Sequence, residues 1–148
     1  MIKVRKIEII DSSQKKKGLN KKKLNNILLK WQKRLMLDNW NIVIQIVDFK
    51  RTDYRQSGDF KADFKNKRAV IYLTCDPFLR NQKTIEKQEE QTIVHELVHI
   101  VLWSMDSFIE KIILKNCKEY ESNHDLYLEK LEETVDKLTL AFLKKEKG

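Results

Sequence analysis

The chain has 148 residues, 41% hydrophobic and 35% charged, with 30 Lys and Arg against 22 Asp and Glu for a net charge of +8. That length fits one domain able to bury its own core, so no disulfide staple is needed. Three glycines and one proline are too few for a many-stranded sandwich with tight turns and favour helices joined to simple strands.

Met1–Ile10 alternates as a short strand or extended arm and lacks the apolar stretch of a secretory signal. No apolar run approaches the roughly 18 residues of a membrane span. The expected location is the cytoplasm, with no membrane contact. Residues 11–23 are polar, with Lys15–Lys17 and Lys21–Lys23 on either side of Gly18, and read as a flexible basic linker. Asn20 is placed to cap the next segment. There Leu24, Ile27, Leu28, Trp31 and Leu35 recur at helical spacing and predict an amphipathic helix to about Leu37. Asp38-Asn39 then turns the chain.

Trp40–Phe49 is rich in β-branched residues and reads as a strand, with Ile42-Val43-Ile44 apolar enough to be covered on both faces. Lys50–Ser57 is a polar loop. Gly58–Phe64 and Arg68–Thr74 flank Lys65-Asn66-Lys67 and predict a hairpin, ended by Asp76-Pro77 because proline cannot donate to a ladder. A helix is expected from Thr84 to Ser104, capped by Asn81 or Thr84. Another is expected over Phe108–Tyr120, and a last one over Asn123–Lys144 with Leu128, Leu131, Val135, Leu138 and Phe142 on its inward face. The layout is α+β: a helix, a small mainly antiparallel sheet of three or four strands, then helices, in a single domain spanning 1–148.

Cys75 and Cys117 form no Cys-x-x-Cys pair, so there is no zinc ribbon. Two lone cysteines suit a reducing compartment, and both read as small buried residues.

The chemistry gathers at His95-Glu96-Leu97-Val98-His99. Four residues apart on a helix, the two imidazoles share one face and can hold one tetrahedral zinc ion. Glu96 points about 100° away from His95, near such an ion without having to ligate it. There it can take a proton from an activated water, as the His-Glu-x-x-His pattern requires. Ile93, Val94, Ile100 and Val101 make this helix apolar nearly all round, and therefore buried. Three ionisable groups in five buried positions carry a large desolvation cost that a divalent cation removes. A purely structural zinc site has no use for Glu96 and fills all four positions with protein ligands.

A catalytic zinc needs a third protein ligand. At about 100° per residue, Glu132 falls roughly 80° from the centre of the last helix's inward stripe, Glu129 about 140° and Glu133 about 180°. Glu132 is the expected ligand among the acids. His124, the one remaining histidine, is the alternative and could otherwise bind substrate or stabilise developing charge. Asp136, one turn after Glu132, could accept the free N–H of a ligating histidine. Tyr72, Tyr120 and Tyr127 are equal candidates to stabilise an oxyanion. An extended substrate could pair along the edge of the strand Ala69–Leu73.

His95–His99 followed by Glu132-Glu133-Thr134-Val135-Asp136 resembles the site of compact gluzincin-type zinc peptidases, in which a downstream glutamate is the third ligand, often with an Asp or Asn four residues later. The run from Val135 to Phe142 is similar to the helix after the ligand in ImmA/IrrE-like peptidases, common in phages. The early helix, the Trp40–Val47 strand, Gly58 and Ala69–Leu73 resemble phage-encoded metallopeptidases and SprT-like domains. SprT-like proteins usually use a third histidine and often carry a cysteine ribbon, which this chain lacks. ImmA-type proteins often adjoin a helix-turn-helix, also lacking here. The resemblance implies a zincin-like fold and hydrolysis of a protein or peptide substrate, with zinc on His95, His99 and Glu132 and Glu96 as general base.

A second reading comes from the charge. A basic protein is drawn to polyanions, and the arm Lys15–Lys23 could contact nucleic acid, with the zinc site subordinate or inactive. Most lysines, however, are scattered among acids as on a solvated surface.

Overall fold

The computed structural model describes residues 9–11, 21–47, 58–74, 85–116 and 118–147. The expected Asn20 cap, Lys15–Lys17, the 50–57 loop, Asp76-Pro77, the Asn81 and Thr84 caps and both cysteines lie outside these residues. The architecture is α+β, as the sequence suggests. Contacts divide the chain into two units, Met1–Glu96 and Leu97–Gly148.

The first unit contains β1 (Ile9–Asp11), α1 (Lys21–Arg34), β2 (Asn41–Val47), β3 (Gly58–Asp63), β4 (Arg68–Thr74) and the start of α2 (Ile85–Phe108). The expected basic linker is shorter than 11–23: Asp11 closes β1, and Lys21–Lys23 form the first turn of α1. Lysine is a good helix former and needs no apolar pattern to enter a helix.

The strand order is β1-β2-β4-β3. Only β3 and β4 pair antiparallel; β1/β2 and β2/β4 are parallel. The expected mainly antiparallel sheet is therefore corrected to a mixed one. Two features explain it. A strand that leads into a helix and returns beside itself runs in its own direction, so β1-α1-β2 is a parallel unit. The β3–β4 hairpin likewise returns the chain parallel to β2, and the apolar β4 takes the central seat. β3, with Asp59, Lys61 and Asp63, takes the edge, where charges discourage further pairing. Both edges of β4 are thus occupied, so a substrate cannot pair along Ala69–Leu73.

Ile42, Ile44 and Ile46 of β2 and Ala69, Ile71 and Leu73 of β4 are buried, while Val43, Gln45, Val70 and Tyr72 on the opposite face are half-buried. The second face of β2 is only partly covered. Leu24, Ile27, Leu28 and Trp31 of α1 are buried, as their spacing requires. Glu90 accepts hydrogen bonds from Lys30 Nζ and Trp31 Nε1, both at 2.7 Å, and so ties α1 to the first half of α2.

α1 ends at Arg34, three residues before the expected Leu37. Met36 N–H donates to Lys33 O and Leu37 N–H to Gln32 O, with Met36 at φ 60°. This is a Schellman stop with methionine where glycine is usual. Buried Gln32 strengthens it by donating to the Leu37 and Trp40 carbonyls. A left-handed conformation costs a residue with a Cβ about 1–2 kcal/mol, partly offset by the greater unfolded freedom of glycine. Met36 is 85% exposed and has little packing to lose. Met36→Gly should stabilise the protein by about 0.5–1 kcal/mol, read as a higher denaturation midpoint at unchanged slope.

The second unit contains the rest of α2, a π-turn at Ile109–Ile113, a 3-10 turn at Leu114–Asn116 and α3 (Tyr120–Lys147). The separate helix expected at Phe108–Tyr120 is absent. No glycine or proline interrupts the chain between Ser104 and Asn116, so α2 continues to Phe108 and then loosens. Asn116 donates its side-chain amide to the Ile112 carbonyl at 2.6 Å, a bond available where the helix ends and carbonyls need partners. α3 is longer than expected at both ends and takes His124 into its first turns. Its apolar stripe is buried only in the middle: Val135 and Thr139 are buried, Leu131 and Leu138 half-buried, and Leu128 and Phe142 exposed.

Candidate metal centre

Ile93, Val94, Leu97, Val98 and Ile100 are buried, but Val101, expected with them, is exposed, so the helix is covered over most of its surface and not all round. Within this stretch His99 and Glu96 are also buried and His95 half-buried. The two histidines lie one turn apart on one continuous helix, α2.

In the second unit, Glu132 on α3 reaches His99: its Oε1 lies 2.8 Å from His99 Nε2. The His99 side chain is 9% exposed and that of Glu132 47% exposed, so the pair joins a buried imidazole to a half-exposed carboxylate. Ligand atoms of His95, His99 and Glu132 all lie within 4.8 Å of one another. Around a tetrahedral ion with bonds of about 2.0–2.2 Å, donors stand roughly 3.4 Å apart. The hydrogen-bonded His99–Glu132 pair is tighter than that and would open slightly to share an ion. Two imidazole nitrogens and one carboxylate oxygen are a donor set that suits zinc, and three protein ligands leave a fourth position for water.

The other candidate ligands lie outside this cluster. His124 Nε2 is 2.9 Å from Glu110 Oε1, and its ring stacks on Tyr120 at 5.4 Å between centroids. Glu133 bonds Lys137 at 3.1 Å and Lys130 at 3.3 Å, and these lysines hold its carboxyl below the ordinary range. Glu129 is exposed and outside the cluster. Asp136 is exposed, one turn along α3 from Glu132.

Among the tyrosines, Tyr127 donates its hydroxyl to Asp106 at 2.6 Å. Burial, and then that carboxylate, push its pKa above the usual value, so its proton stays committed to Asp106. Tyr120 is stacked on His124, and Tyr72 belongs to the central strand β4.

The sequence reading missed two of these pairs. Asp106 on α2 and Glu110 in the π-turn after it follow His99 by seven and eleven residues, close to whole helical turns, and so continue its face. Residues 99 and 106 of α2 and 110 of the π-turn that follows meet 132, 127 and 124 of α3 in turn, so the two runs are antiparallel here. The His99–Glu132 contact is thus one of three polar links along one seam. The spacing of Asp106 and Glu110 from His99 was the available signal.

No family model, curated protein or solved structure matches the chain.

Proposed function

We propose that this chain is a zinc-dependent metallopeptidase that hydrolyses peptide bonds. The observation that carries the reading is the convergence of His95, His99 and Glu132, with Glu96 buried beside His95 on the same helix. A structural zinc site would need a fourth protein ligand and no carboxylate next to the first histidine.

His95, His99 and Glu132 would hold the ion. When bound, zinc would polarise the scissile carbonyl and make water a competent nucleophile near neutral pH. Glu96 accepts a proton from the attacking water and delivers it to the leaving nitrogen. Its burial keeps competing solvent away from the proton it carries. The paired carboxylate of Glu132 orients the His99 ring, so that Nε2 faces the cluster before any ion arrives.

The test is metal content followed by removal. Protein purified without added metal should carry about one zinc per chain, and a chelator should abolish cleavage of an unstructured protein substrate, with zinc restoring it. Sub-stoichiometric zinc together with chelator-resistant cleavage would refute the proposal.

A further inference from the structure

The two units carry opposite charge. Residues 1–96 hold 22 Lys and Arg against 12 Asp and Glu, a net +10; residues 97–148 hold 8 against 10, a net −2. The basic character of the chain therefore belongs entirely to the first unit, and such asymmetry is a mark of polyanion binding.

Within that unit, α1 carries Lys21, Lys22, Lys23, Lys30, Lys33 and Arg34 and no acid at all. Three lysines in its first turn oppose the helix dipole; farther along, Lys30 bonds Glu90 of α2, and Lys30 and Arg34 both lie over the Trp31 ring. The first-turn lysines work against the helix that bears them. A merely solvated helix looks like α3, where Lys130, Glu133 and Lys137 alternate in sign and pair at three- and four-residue spacing.

The end of α1 also meets a second basic element. Asn41, just after the α1 stop, donates its N–H to Lys67 O at 2.8 Å, and the Trp40 and Phe64 rings lie 4.8 Å apart. With Gln32 of α1 holding the Trp40 carbonyl, these contacts tie the β3–β4 turn, which carries exposed Lys65, Lys67 and Arg68, to the end of α1, which carries exposed Lys33 and Arg34. Among the described residues, Asp38, Asp63 and Glu90, the last bonded to Lys30 and Trp31, are acids of this region. Asp63 is already bonded by the Asn66 side chain and backbone, which hold its carboxyl below the ordinary range.

We infer that α1 and the β3–β4 turn form a surface that binds the phosphodiester backbone of duplex nucleic acid. An anionic membrane fits less well, because the apolar face a helix would insert (Leu24, Ile27, Leu28, Trp31) is buried within the protein. Single strands fit less well too, since Trp31 and Trp40 are buried and offer no stacking platform. α1 is about 20 Å long, roughly half the ~34–36 Å repeat of the duplex, so its two charged ends can meet phosphates along one face. The inference does not rest on the metal centre and stands or falls without it.

The test is fluorescence anisotropy of the full chain with a labelled DNA duplex of about 20 base pairs, at salt from about 50 to 200 mM. About four phosphate contacts should cost the wild type roughly 10²-fold in affinity over that range. The variant K21Q/K33Q/K65Q/K67Q should bind at least about tenfold more weakly at low salt and show a salt slope smaller by about 3–4. The control K111Q/K115Q/K118Q/K144Q, an equal charge change in the second unit, should bind as the wild type does. A salt-independent wild type, equal losses in both variants, or tighter binding to phosphatidylserine vesicles than to the duplex would overturn the inference.

Discussion

Glu96→Gln is expected to lower kcat/KM for peptide hydrolysis by about 10³-fold, within the 10²–10⁴-fold range of general acid–base catalysis. The amide is isosteric and fills the same buried space, so packing around residue 96 is kept. Glutamine cannot accept the water proton, and it has no acidic proton to give the leaving nitrogen. Glu96 is outside the ligand group of His95, His99 and Glu132, so the variant should keep its zinc. Loss of activity with metal and thermal midpoint retained separates a chemical role from a structural one. Activity within about tenfold of the wild type would remove Glu96 from the mechanism, because even the lower bound for a positioned base exceeds that.

Much of this centre was legible in the sequence because its signals are local. His95, Glu96 and His99 span five residues of one helix, and 100° per residue fixes their relative directions without any tertiary knowledge. Glu132 could be ranked above Glu129 and Glu133 by the same rule, since Leu131 and Val135 mark the inward side of α3. The sheet order was not legible in this way. Which strand sits centrally depends on a competition between β3 and β4 for the place beside β2, and that competition is settled by burial across long separations. Its clue was compositional: Ala69–Leu73 is apolar throughout, whereas Asp59, Lys61 and Asp63 punctuate β3. The helix misplaced at Phe108–Tyr120 has another cause. Its boundary was drawn where no residue breaks a helix, and the real change, to a π-turn at Ile109–Ile113, leaves no breaker residue to read. The charge asymmetry was present in the sequence all along, but it takes on meaning only once the chain is divided at Glu96.

Glu132→Ala should weaken zinc binding by more than about 10²-fold, beyond the 10–100-fold that loss of an outer hydrogen-bond partner costs. The reasoning separates two roles that the 2.8 Å contact alone would allow. If Glu132 only orients His99, its removal costs the smaller amount, and a glutamine, whose amide oxygen can still accept from the ring, restores most of it. If Glu132 ligates, glutamine restores little, because a neutral amide is a far weaker donor to a divalent cation than a carboxylate. Three comparison variants fix the assignment. Glu129→Ala and Glu133→Ala should leave zinc affinity unchanged, since the first residue is exposed and the second is held by Lys130 and Lys137. His124→Ala should also leave it unchanged, and should instead lower stability by about 1 kcal/mol through loss of its bond to Glu110. Competition against a chromophoric chelator measures each affinity directly. A His124→Ala loss matching that of Glu132→Ala would move the third ligand to His124 and require α3 to rearrange when metal binds.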